Sequence, residues 1–314
     1  MLSSAQLEMP DFMNQEPTWS ADGQKILFVT RRDGNDEIYV MNKDGSDPMR
    51  LTNTPKRESE PSWSPDGKLI LFTSERTGVS QVFIMNADGT QQVNLTQTDL
   101  PEHQPEWSPT GDKISFTSIR DRNAQVYIMN ADGSNTYRLT KTTSNVNSAA
   151  WSPDGRYITC LSNDLAVGKM YNITIALVPN VPEIQPKEER EFFSRWFPDG
   201  KKMVTRQYDP YVRGATSIYV TDLENSTRDR VVKSMNDVVG IEPSPKNDKL
   251  LIESEKNLFI LTLGSKEKPV RIAKGYHSSE WAPDGTCIVM VSAGVKMNIY
   301  TVNPDGTNLV QLTK

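Results

Sequence analysis

The chain has 314 residues, 36% hydrophobic and 24% charged, with a formal net charge of −5. This acidic balance lacks the basic face of a dedicated nucleic-acid binder, and no run of 18 apolar residues is present to span a membrane. The two cysteines, Cys160 and Cys287, exclude a disulfide framework and read as buried free thiols in strand-like runs.

The N-terminal stretch MLSSAQLEMPDF has neither a basic n-region nor an apolar h-region. The chain as given is therefore expected to be cytoplasmic, or periplasmic or secreted if it is a processed mature form. Beyond it, one repeat dominates. Trp19, Trp63, Trp107 and Trp151 stand 44 residues apart, and Trp196 follows 45 further on. Trp281 lies 85 residues beyond Trp196, about twice the period, and an eroded copy with Pro243 in the tryptophan place falls between. All six tryptophans sit in variants of Trp-Ser-Pro-Asp-Gly. Each unit predicts four short strands. A polar run leads into the tryptophan. An alternating apolar run follows the motif (Leu69, Leu71; Ile114, Phe116). A run such as VFIMN or VYIMN comes next, and a short run ends in Leu-Thr. Pro-Asp-Gly, Asn-Ala-Asp-Gly and Arg-Asp-Gly supply the turns.

Four strands per unit of about 44 residues is the signature of a propeller blade. The predicted fold is all-β: a β-propeller of seven four-stranded blades, with six-bladed closure the less favoured alternative. The chain then forms one domain over residues 1–314, with blades at 9–52, 53–96, 97–140, 141–185, 186–233, 234–273 and 274–314. The fourth unit replaces Leu-Thr with the proline-rich stretch 178–186, and the fifth has a longer loop at 208–216. Either Gln6-Leu7-Glu8 or Leu312-Thr313 supplies the outer strand of the last blade.

The run W-S-P-D-G-(K/R)-x-I-x-F-x-S-x-R-x-G, then I-Y-x-M-N-x-D-G, then L-T, resembles the TolB-like (PD40, WD40-like) propeller repeat over nearly the whole chain. It is not the WD40 repeat proper, because no Trp-Asp dipeptide ends the third strand. TolB's extra α/β domain and export signal have no counterpart, so its role in the Tol–Pal system is not carried over. The resemblance implies a propeller that binds proteins or peptides; some relatives precede hydrolase domains. Oligogalacturonate lyases have similar repeats but need a cluster of histidine ligands, and this chain has two histidines.

In such a blade the Trp-Ser-Pro-Asp-Gly and Asn-Ala-Asp-Gly turns lie on one face. The inner strand begins at the other, beside the mouth of the central channel. The slot four before each tryptophan holds Gln15, Ser59, His103, Asn147, Phe192, Val239 and His277. Candidate binding residues at the mouth are His103, His277, Glu58, Glu60, Glu102, Asn147 and Tyr276, with Arg32, Arg76 and Arg120 thirteen after the tryptophan. Glu16 and Glu191 lie near them. The arginines also read as stitches made of hydrogen bonds and carboxylate pairs. Trp19, Trp63, Trp107, Trp151, Trp196 and Trp281 read as structural, and the turn aspartates as caps rather than calcium ligands.

No G-x-S-x-G, H-E-x-x-H or phosphate-binding loop is present. The expectation is a non-catalytic module holding a protein or peptide at the channel mouth, with no catalytic residue, metal or cofactor. A small molecule or glycan stays open as a ligand. The alternative is a carbohydrate-active or metal-dependent enzyme, lyase or hydrolase, with its site at that mouth.

Overall fold

The computed structural model describes residues 13–164, 169–179, 191–208, 212 and 214–313. Every helix or strand among them is a β-strand, and the strands form seven antiparallel sheets, each built from one continuous stretch of chain. The sheets stand side by side in a ring, the first against the seventh, and the chain is a seven-bladed β-propeller. Blade one is Asn14–Trp19, Lys25–Thr30, Glu37–Asn42 and Met49–Arg50, paired in that order. The other inner strands are Glu58–Trp63, Glu102–Trp107, Asn145–Trp151, Glu191–Trp196, Val238–Pro243 and Tyr276–Trp281. Six blades have four strands; blade four has three among the described residues. Its outer-strand place falls where the proline-rich stretch begins, and 180–186 lie outside the described residues.

The middle strands are more apolar than alternation predicts. Ile26, Leu27, Phe28 and Val29 are all fully buried, as are Ile70, Leu71 and Phe72. Each blade is sandwiched between two others, so both faces of its central strands are covered. Such strands read as continuous apolar runs.

The tryptophans work at the joints. Trp107 packs on Leu71 and Val82 of blade two, Trp281 on Leu251 and Ile260 of blade six, and Trp19 on Val289 and Leu312 of blade seven. The turn after each tryptophan is held by its own side chains. The Ser64 hydroxyl donates to Asp66 Oδ1 at 2.7 Å, and the Lys68 N–H donates to the same oxygen at 3.1 Å. These bonds, the serine's first, pull the Asp66 carboxyl down to about 2. Gly67 takes the left-handed position at φ +71°. In the eroded blade six, Asn247 occupies that position at φ 60° and Asp248 accepts from Ser244, so the turn survives without glycine.

The Leu-Thr ending has its own function. Thr52, Thr140 and Thr313 each turn a hydroxyl oxygen to accept the backbone N–H of Ile38, Val126 and Ile299 in their own blades. The carbonyls of Leu51 and Leu312 meet the next blade. A Cβ added to Gly45 would lie 2.5 Å from Leu312 O, and one on Gly89 2.9 Å from Leu51 O. The joint between blades seven and one thus repeats the joint between blades one and two. The last outer strand is Val310–Gln311, so the C-terminal segment fills that slot, and the competing 6–8 segment lies outside the described residues. Met13 pairs with Met297 in parallel, and the Asn14 backbone and side-chain N–H groups both donate to Met297 O, at 2.9 and 2.8 Å.

Candidate functional site in the central channel

Every inner strand carries a bulge three or four residues before its tryptophan place. In five blades the residue three before Trp is left-handed: Glu16, Glu60, Gln104, Ser148 and Ser278, at φ between 50° and 54°. A bulge re-aims the side chain and frees a backbone donor. In blades one to four these two effects interlock. The Glu60 N–H donates to Glu16 Oε2 at 2.7 Å, Gln104 N–H to Glu60 Oε2 at 2.8 Å, and Ser148 N–H to Gln104 Oε1 at 3.1 Å. Glu60 is therefore committed to this chain of bonds.

The other residues expected at the mouth divide into three groups. Glu58 and Glu102 are fully buried and face their own arginines: Arg76 at 3.0 Å and Arg120 at 2.7 Å. Each arginine also lies over an aromatic ring of its own blade, Arg76 4.6 Å from Phe83 and Arg120 4.5 Å from Tyr127. Arg32 meets Asn14 Oδ1 at 3.3 Å and lies over Tyr39. These pairs join strands within one blade. Tyr276 packs edge-on against Tyr300 at 5.2 Å. His103 is exposed and Asn147 half-buried, each on its inner strand. His277 is half-buried, with Nδ1 2.9 Å from Ser278 Oγ. The side chains of Glu191 and Phe192 lie outside the described residues.

A cavity of about 590 Å³ runs along the inner strands of blades six and seven, from Val239 at the mouth to the residues just before the tryptophan place. None of the ten residues expected at the mouth lines it. Its wall holds Glu16, Glu106, Glu242, Glu253 and Glu280 with one cation, Arg195. Glu106, Arg195, Glu242 and Glu280 share one slot, immediately before the tryptophan or its substitute.

Their surroundings decide their protonation. Glu106 is wetted by the channel but surrounded by protein. Loss of bulk water pushes its carboxyl up to about 7 against the opposing pull of Arg195. Burial likewise raises Glu280 to about 7. Its bonds from Thr18 Oγ1 (3.3 Å) and Trp19 N–H (3.4 Å) are long and weaken the opposing effect. Glu242 is raised well above its usual value, first by burial and next by the negative charge of Glu280. The pair resists double ionisation. Among the described residues, no three His, Cys, Asp or Glu side chains converge as a metal site. The slot before tryptophan (Thr18, Ser62, Glu106, Ala150, Arg195, Glu242, Glu280) turns from small and neutral to charged in four of the seven repeats, the sequence signal that marks this wall.

Comparison with solved structures finds this shape in several enzymes and in TolB proteins. The oligogalacturonate lyase of Vibrio parahaemolyticus is 15% identical with a TM-score of 0.76, covering 93% of this chain and 91% of that one. A puromycin-hydrolysing peptidase of Mycobacterium tuberculosis is 13% identical with a TM-score of 0.76, covering all of this chain and 55% of its own. TolB from Acinetobacter baumannii is 15% identical at a TM-score of 0.58, covering 97% and 80%. Among curated protein sequences none matches. The likenesses to enzyme propellers overturn the expectation of a non-catalytic interaction module, and the catalytic alternative fits them better. No helix among the described residues is long and apolar enough to cross a membrane. The TolB β-propeller domain model matches residues 4–114 and 97–209, well over half of the sequence, and the chain belongs to that family.

Proposed function

We propose that the chain is an acid–base enzyme that hydrolyses glycosidic bonds in its central channel. The observation behind this reading is the coupled pair Glu242 and Glu280, on adjacent blades and facing one cavity. Two carboxyls that cannot easily ionise together divide into a proton donor and a base at neutral pH, which is the requirement of glycoside hydrolysis. A propeller of similar shape that acts on oligogalacturonate adds support. The substrate differs in charge, however. Burial already opposes ionisation of Glu106, Glu242 and Glu280, and a polyanion would oppose it further and hinder the base the reaction needs, so neutral and amino-sugar oligosaccharides fit the wall better.

The test is reducing-end release from neutral, amino-sugar and uronic oligosaccharides. We expect cleavage in the first two classes. Glu280→Gln and Glu242→Gln should each lose roughly 10²–10⁴-fold in kcat. Turnover of no glycan, or full activity in both variants, would refute the reading.

A further inference from the structure

Blade seven pairs a serine with a histidine where no other blade does. His277 and Ser278 occupy the mouth slot and the bulge slot. The other histidine, His103, is followed by Gln104, and the other bulge serine, Ser148, by Ala149 and preceded by Asn147. The left-handed backbone at Ser278 (φ 50°) allows neighbouring side chains to meet, and His277 Nδ1 lies 2.9 Å from Ser278 Oγ. That is the distance at which a base takes a hydroxyl proton. Ser278 lines the cavity and is exposed to it.

Three neighbours complete the arrangement. Burial of His277 favours the neutral imidazole, which a general base requires, against the field of Glu253 and with that of Lys256. Glu253 faces the same cavity, accepts from Ser279 Oγ at 3.4 Å, and would offset the charge of an imidazolium. In blades two to four the bulge N–H is taken by a side chain of the preceding blade. For Ser278 the residue at that place is Gly240, which has no side chain to offer. Glu253 stands behind that place, its Cβ 3.4 Å from where a Gly240 Cβ would lie, and Ser278 opens to the cavity, where an acyl group would sit.

We propose that Ser278 is the nucleophile of an ester-cleaving site in which His277 is the base, a function separate from glycan cleavage. Ser278 Oγ attacks the ester carbonyl carbon as its proton passes to His277 Nδ1. The tetrahedral adduct expels the alcohol, which leaves with that proton. Water, deprotonated by the same imidazole, then cleaves the acyl-serine, so ester and water give acid and alcohol. The acidic wall selects neutral or cationic esters.

The test is labelling of the full chain with a fluorophosphonate probe, with the labelled residue read by peptide mass spectrometry. Hydrolysis of 4-nitrophenyl acetate is followed alongside. Expected are a label on Ser278, its loss in Ser278→Ala, and labelling and turnover roughly 10²–10⁴-fold slower in His277→Ala. No label, a label elsewhere, or unchanged ester turnover in Ser278→Ala would overturn the proposal. The labelled residue is read in the unmutated chain, so misfolding of a variant does not obscure the result. Glycan cleavage is scored separately, so either reading can fail alone.

Discussion

At the scale of single residues, one amino-acid type can carry unequal loads in successive repeats. Trp107 is buried, 7% exposed, against blade two, whereas Trp63 in the same motif is only half-buried. Removing a large buried aromatic costs the lost transfer energy and leaves a cavity. Trp107→Ala should therefore lose about 3–5 kcal/mol in urea unfolding, and Trp63→Ala clearly less. Equal losses would contradict the packing described here. The tryptophans were legible as structural because six recur at one period. The channel carboxylates were not. Glu106, Glu242 and Glu280 each look like an ordinary polar residue of an inner strand. Only the ring brings blades three, six and seven to face one space.

At the scale of elements, two glycine turns that look alike in sequence have different neighbours. Gly67 has open space where a Cβ would go, whereas Gly45 would meet Leu312 O at 2.5 Å. Both are left-handed, so Gly67→Ala should cost about 1–2 kcal/mol. Gly45→Ala should cost about 1–3 kcal/mol more, since the blade joint must also shift. Thermal and urea unfolding of the two variants would show the difference, and equal stability would contradict the close approach at the joint. The turn itself could be read from Asp-Gly. Its second use, admitting the neighbouring carbonyl, could not, because that neighbour is a whole repeat away. The bulges were hidden for a related reason: Glu16, Glu60 and Gln104 are not residues that announce left-handed backbone.

At the scale of the whole molecule, the ring places Glu106, Glu242 and Glu280 where ionisation opposes folding. Below the ordinary glutamate value of 4.5, Glu280 is protonated whether folded or unfolded. Between there and about 7 the unfolded chain releases the proton and the folded chain retains it, so stability falls as pH rises. Glu280→Gln removes that dependence. In scanning calorimetry its Tm relative to the parent should climb between pH 4.5 and 7 and level off above. A difference independent of pH would contradict the burial described here. Blade number was legible from the period. The cavity was not, because it depends on departures from the repeat: Gly240 without a side chain, Arg195 among glutamates.

The bonds between successive bulges run in one direction. Glu16 waits for the N–H of blade two, Glu60 for that of blade three, and Gln104 for that of blade four. Each acceptor belongs to the stretch synthesised first. As the chain leaves the ribosome, the inner strands of blades two to four each meet a partner already in place, and chain growth matches the order in which domains fold from the N-terminal side. Blade seven repeats the direction at another slot, its Trp281 N–H donating to Glu242 Oε1 of blade six at 3.4 Å. Most of the cavity wall comes from blades five to seven, so the channel's chemistry is enclosed by the part of the ring that is synthesised last.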